Sequence, residues 1–292
     1  MPKRPCTQFL PAALLAALAL CLGLLCACQP ARPLTASDPA SGPAARPTVQ
    51  TPPSDRTRRL ALAAFHLRDE RGGGPLAALT VLDAPPGPED GGAGAADGTG
   101  DEAGELALKA LAFRQLGRSA EAVAVLDRLM LSRRDLQPAA LADAFVERGL
   151  ALAELGHQER AAEDFAAALG LAPRHVPALM ARADQAFALE RPAEAEAGYA
   201  LVLAVEPENV LAHINRGVAL DEQGRFAEAI AAFTRALALD PGSAAALANR
   251  GVSRSQTGDM AGMCADYVAA CRLGACYRLS SAQSVGYCQD AQ

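Results

Sequence analysis

Residues 210–243 read VLAHINRGVALDEQGRFAEAIAAFTRALALDPGS, and their pattern returns at a step of 34 residues. Pro241 is preceded at that step by Pro207 and Pro173. Arg216 belongs to a row with Arg148, Arg182 and Arg250, and a small residue follows each: Gly149, Ala183, Gly217 and Gly251. Aromatics fall in register at Phe165, Tyr199, Phe233 and Tyr267, in a chain only 4% aromatic. Ala161, Ala195 and Ala229 keep step, as do Ala168, Val202, Ala236 and Ala270. A period of this length marks units that cannot bury their own apolar sides and must stack to do so.

Each row has a physical reason. Gly149 and Ala161 are small because two helices cross there, and a larger side chain would push the backbones apart. Gly156, Gly224 and Gly258 stand where the helices of a hairpin turn, relieving strain through the missing Cβ. Pro173, Pro207 and Pro241 prevent continuation of the second helix. Phe165 and its equivalents are expected to fill the gap between one unit and the next. Arg148 with Asp164 and Arg250 with Asp266 share one separation, which predicts ion pairs between the helices of those units; solvent-facing arginines are the alternative.

At these residues the chain resembles the tetratricopeptide repeat family, a helix–turn–helix unit of 34 residues. The resemblance implies an all-α, right-handed α-solenoid over 103–277, in units 103–141, 142–175, 176–209, 210–243 and 244–277. The last unit departs from the pattern with Met263 for the small Ala and Ala275 for the Pro, as a terminal repeat does. The resemblance also implies an inner groove lined by the first helix of each unit. Its expected peptide-binding residues are Val146, Leu150, Met180, Asp184, Phe187, Ile214, Asn215, Val218, Asn249 and Val252. Asp143, Glu147, Asp221 and Glu222 belong to the same face. Asn215 and Asn249 occupy equivalent sites, where family members hydrogen-bond an extended ligand backbone; bonding to neighbouring protein groups is the alternative. The basic cluster that would grip a C-terminal carboxylate is absent.

The 292-residue chain has 27 basic and 33 acidic residues, a net charge of −6, which leaves no electrostatic footprint for nucleic acid. Its few aromatics, set against abundant Ala and Leu, fit close-packed helices better than a β-sandwich.

Lys3 and Arg4 precede an apolar run from Phe9 to Leu25, the marks of a secretory signal peptide over 1–27. Leu25-Cys26-Ala27-Cys28 resembles the lipobox of bacterial lipoproteins, which implies lipidation at Cys28. Plain cleavage after Ala27 and a retained anchor are the alternatives. By the same resemblance, Gln29 after the acceptor favours the outer membrane, facing the periplasm. Residues 28–58 are expected to form a disordered, Pro-rich tether; seven prolines lie in 29–58. A coil of that length spans about 30 Å. Residues 59–83 are expected as a degenerate helical hairpin and 84–102 as an acidic, Gly-rich linker.

Cys264, Cys271, Cys276 and Cys288 cluster near the C-terminus of a chain expected to be exported, which reads as a disulfide framework. With helices over 261–273 and about 277–287, Cys264 and Cys271 are separated by about 10.5 Å of rise and cannot bridge each other. Antiparallel packing then predicts nested bridges, 271–276 and 264–288, holding a capping helix within 278–292. Zinc ligation is the alternative, although the spacing lacks paired short knuckles.

No catalytic motif stands out. His66, His157, His175 and His213 lack metal-ligand spacing, and no His-Glu-x-x-His or Gly-x-Ser-x-Gly occurs. No catalytic residue, metal or cofactor is expected. The function expected is a lipid-anchored cell-envelope scaffold docking one or more envelope proteins or peptides, for pilus, secretion, cell-wall or outer-membrane assembly. The alternative is a periplasmic hydrolase or small-ligand binder with an unrecognised site.

Overall fold

The computed structural model describes residues 55–68, 74–84, 98–131 and 136–289. The export signal, Cys28 and the tether up to residue 54 lie outside them. Among the described residues there are thirteen helices and no strand. They fall in two compact units, divided between Ala140 and Leu141.

The first unit holds α1 (Asp55–Arg68), α2 (Gly74–Leu82), α3 (Gly98–Gln115) and α4 (Ser119–Leu131). Leu60, Ala63 and Leu67 of α1 recur at helical spacing, and they share one core with Ala78, Leu79 and Leu82 of α2 and Leu108, Leu111 and Ala112 of α3. Helix α1 starts inside the expected tether, because Pro53 is the last proline before it and nothing beyond blocks a helix. Helix α3 likewise takes up Gly98 to Glu102 from the expected linker, whose last proline is Pro88. Lys109 of α3 bridges Glu105 and Asp83, each at 3.0 Å.

The second unit opens with α5 (Pro138–Glu154) and α6 (Gln158–Leu171), followed by α7 (Val176–Ala188) and α8 (Pro192–Val205). Two more hairpins follow, α9 (Val210–Glu222) with α10 (Phe226–Leu239) and α11 (Ala244–Gln256) with α12 (Met260–Arg272). From α6 to α12 each helix packs against the next in sequence, as in a solenoid of stacked hairpins. Asn209, Ser243 and Asp259 cap α9, α11 and α12, each side-chain oxygen accepting from the backbone N–H three residues on.

The periodic columns resolve into contacts. A Cβ on Gly217 would lie 2.6 Å from the Phe233 ring, and Gly149 and Gly251 stand in the same relation to Phe165 and Tyr267, at 2.5 Å. The aromatic therefore packs directly on the small residue of its own hairpin. Phe233 also shares its core with Ala246 of the next hairpin, so the ring packs within its own unit as well as towards the next one. The 176–209 unit solves the same problem differently: Ala183 replaces the glycine and Gly198 on the facing helix gives way, its would-be Cβ 2.7 Å from that of Ala183.

Gly156, Gly224 and Gly258 turn their hairpins at φ 85°, 72° and 83°. The equivalent residue of the 176–209 hairpin is Glu190, at φ 59°. A left-handed conformation costs an ordinary L-residue about 1–2 kcal/mol, part of which glycine gives back in unfolded-chain entropy. Glu190→Gly is accordingly expected to raise stability by about 0.5–1 kcal/mol, read by urea denaturation; a loss of stability would show that the Glu190 side chain matters more than its backbone.

The cap is short. Helix α13 (Tyr277–Ser284) ends earlier than the sequence suggests, and of its residues Ala282 alone is buried. Beyond it the chain turns through Gly286 (φ 92°) and Cys288 (φ 54°) to bring Cys288 back to α12. The bridges are Cys264–Cys288, with Cα atoms 5.4 Å apart, and Cys271–Cys276, the nested pairing expected from helix geometry. The thiols are thus consumed by each other and form no zinc site. Met263 and Tyr267 of α12 share a small core with Ala282, into which the outer bridge is packed.

Candidate docking face

Helices α5, α7, α9 and α11 are the first helices of the four hairpins. The groove residues named above stand on these helices, and Met180, Phe187, Val218 and Val252 also pack against the cores shared with the partner helices. Leu150, Met180, Asp184, Phe187, Asn215, Val218, Asn249 and Val252 are all half-buried, so each keeps some surface. Val146 and Ile214 do not: they are 2% and 9% exposed. Ile214 packs with Ala232 and Phe233 of α10 and Ala246 of α11, where successive first helices close on each other. These two belong to the core and offer nothing to a partner.

Neighbouring hairpins are tied by carboxylates from this face. Asp143 lies 3.0 Å from Nε2 of His175, at the start of α7. Asp184 Oδ1 accepts from the Tyr199 hydroxyl at 2.7 Å and from the Asn215 amide at 3.2 Å. Both oxygens of Asp221 lie 2.8 Å from the hydroxyl of Ser253, which is fully buried. Asn215 thus spends one donor on a protein neighbour, whereas the side chain of Asn249 has no hydrogen-bond partner among the described residues. His175, Tyr199 and Ser253 escape sequence reasoning because the three ties start from different columns of the repeat. The links between hairpins, Asp143–His175, Asp184–Asn215 and Asp221–Ser253, share only a separation of 31 or 32 residues, while Tyr199 lies 15 residues from Asp184 within its own hairpin.

The arginine row faces elsewhere. Arg148 donates to both oxygens of Asp164 at 2.8 and 2.7 Å, and Arg250 to both of Asp266 at 3.0 and 2.7 Å. Both expected ion pairs are therefore formed, each a two-point fork. In the intervening units the acid's position is held by Gly198 and Ala232, so Arg182 stays exposed and Arg216 turns to Glu196 at 2.7 Å.

Burial pushes the Asp184 carboxyl above its usual range, outweighing the hydrogen bonds from Tyr199 and Asn215 that favour its ionised form. Burial likewise raises Asp221, with Glu222 adding to the effect and Ser253 opposing it. The Tyr199 hydroxyl is raised by burial first and then by the Asp184 charge, so it stays a donor. A carboxyl whose folded value is raised contributes stability that is complete below its unfolded pKa and is lost as pH rises through the folded one. Asp184→Asn keeps an acceptor for both donors and removes that loss. Urea denaturation between pH 4 and pH 8 is expected to find the variant gaining on the parent chain as pH rises. A variant that falls behind towards pH 8 would overturn this account of Asp184.

Residues 142–175 and 180–244 match tetratricopeptide repeat family profiles. This part of the chain carries tetratricopeptide repeats. Two solved structures of MamA are similar to it. One, MamA 41-end from Desulfovibrio magneticus RS-1, is 22% identical with a TM-score of 0.52, covering 60% of this chain and 97% of that one. The other, the MamA RS-1 ArsTM double mutant, is 23% identical with a TM-score of 0.51, covering 60% and 96%. At that identity they share the tetratricopeptide repeat fold. No curated protein matches the chain in sequence. The repeats support a scaffold for protein–protein interaction, with the first-helix face as its candidate surface.

Proposed function

We propose that the chain is a lipid-anchored scaffold of the bacterial cell envelope, tethered through Cys28 to the outer membrane on its periplasmic side. It docks one or more envelope proteins on the face formed by α5, α7, α9 and α11. The observation that carries the docking role is the row of half-buried apolar and amide side chains on successive first helices, repeated by the stacking. Envelope placement is supported by the basic-then-apolar N-terminus of the sequence and by two disulfides, which persist in oxidising compartments. Two or three acyl chains, each contributing about 0.8 kcal/mol per buried methylene, give durable anchoring. The face acts by binding alone; no catalytic step is assigned to it.

Two measurements test this reading. A photo-crosslinking residue at Phe187 or Val218 in intact cells is expected to capture a defined envelope protein, whereas one at exposed Arg182 on the other side captures none. Metabolic labelling with a fatty acid is expected to mark the parent chain and not Cys28→Ala. Unlabelled parent chain would refute the anchor, and equal capture from both sides would refute the docking face.

A further inference from the structure

We propose that the docking face selects an extended partner segment in which lysines or arginines alternate with apolar residues. The inference rests on the first-helix face being the docking surface and deepens that reading by naming the chemistry it recognises.

The outward columns of α5, α7, α9 and α11 carry Asp143, Glu154, Asp184, Asp221 and Glu222, while Glu147 is buried, and they carry no lysine or arginine. This asymmetry is local, because the whole chain has 27 basic residues against 33 acidic ones. Arginines of these same helices are engaged on the other side. Arg148 and Arg250 are forked onto Asp164 and Asp266, Arg254 also reaches Asp266 at 2.8 Å, and Arg216 holds Glu196. The two central acids of the face are met differently. Asp184 accepts from a phenol and an amide, and Asp221 from one hydroxyl, all neutral donors. Burial of these two carboxyls among neutral donors agrees with their raised titration.

Between the acids lie Met180, Phe187, Val218 and Val252, each half-buried at the edge of its own hairpin's core. A segment laid across them places apolar side chains on this floor and its cations opposite Asp184, Asp221 and Glu222. Asn249, with an unclaimed amide, meets the segment's backbone. An acidic segment or a free C-terminal carboxylate would meet uncompensated negative charge at Asp184 and Asp221, and like-charge contact is how such surfaces reject wrong partners.

The test is selection of a displayed library of random dodecapeptides on the mature chain, followed by affinity measurement of the enriched peptide. The enriched pool is expected to be net positive with interspersed Leu, Val or Ile. Its leading peptide should weaken about tenfold when NaCl rises from about 50 to about 500 mM, as for charges within a Debye length. Asp221→Asn, which keeps an acceptor for Ser253, is expected to weaken it several-fold, and Val218→Gln more than that. Enrichment of neutral or acidic peptides that still depend on Val218 would overturn the charge inference and leave the docking face standing. No enrichment, or binding indifferent to both Asp221 and Val218, would overturn the two together.

Discussion

Asp266→Ala lowers the stability of the last hairpin by about 3–5 kcal/mol, the expected result of removing one partner from a buried ion pair. Asp266 is 3% exposed and its carboxylate is held by two guanidinium groups, Arg250 at 2.7 Å and Arg254 at 2.8 Å. Its loss strands both cations where water reaches them poorly, since their side chains are 16% and 24% exposed. Asp266→Asn keeps one acceptor and should fall between the two states. The damage should also be local, because stacked repeats answer mainly to their nearest neighbours. Amide hydrogen exchange is expected to accelerate through α11, α12 and the bridged cap while α7 and α8 hold their protection. A double-mutant cycle with Arg250→Ala isolates the pair, and a coupling near zero would show that packing, not the fork, holds the hairpin.

That ion pair was legible in the sequence, and the reason is instructive. Arg148 and Asp164 stand 16 residues apart, as do Arg250 and Asp266. Equal spacing in equivalent units fixes equal geometry once the period is known. The disulfide pairing was legible on similar grounds, because the rise of a helix forbids Cys264–Cys271 and antiparallel packing leaves the nested alternative. Departures from the period carried information that the period itself hides. Gly198 stands where its equivalents are Asp164, Ala232 and Asp266, and only the packed structure shows that it exchanges roles with Ala183. Glu190 occupies the turn glycine's place and accepts a left-handed backbone there. The family resemblance places Val146 and Ile214 on the docking face, and a resemblance does not say how closely two first helices approach. The ties from Asp143, Asp184 and Asp221 were invisible because side-chain reach between units does not follow the repeat.

Phe233→Ala is the second large effect, at about 3–5 kcal/mol for emptying a buried aromatic site. Phe233 is fully buried and packs with Ile214, Leu220, Ala229, Ala232, Ala236 and Ala246, so it joins two helices of its own hairpin to the first helix of the next. The contact that decides the argument is with Gly217, where a Cβ would stand 2.6, 2.7 and 2.9 Å from three ring atoms. Gly217→Ala alone forces the ring against a core without room and should cost about 1–3 kcal/mol. Combined, the two substitutions should compensate: the methyl introduced by Gly217→Ala occupies space the ring has left, and alanine is favoured over glycine inside a helix by about 0.5–1 kcal/mol. The double variant is therefore expected to be more stable than Phe233→Ala by itself, a reversal of sign for Gly217→Ala that urea denaturation of the three variants reads directly. Simple additivity would mean that the ring and the glycine do not share one space. The small-residue column would then owe its glycines to something other than the aromatic across the hairpin.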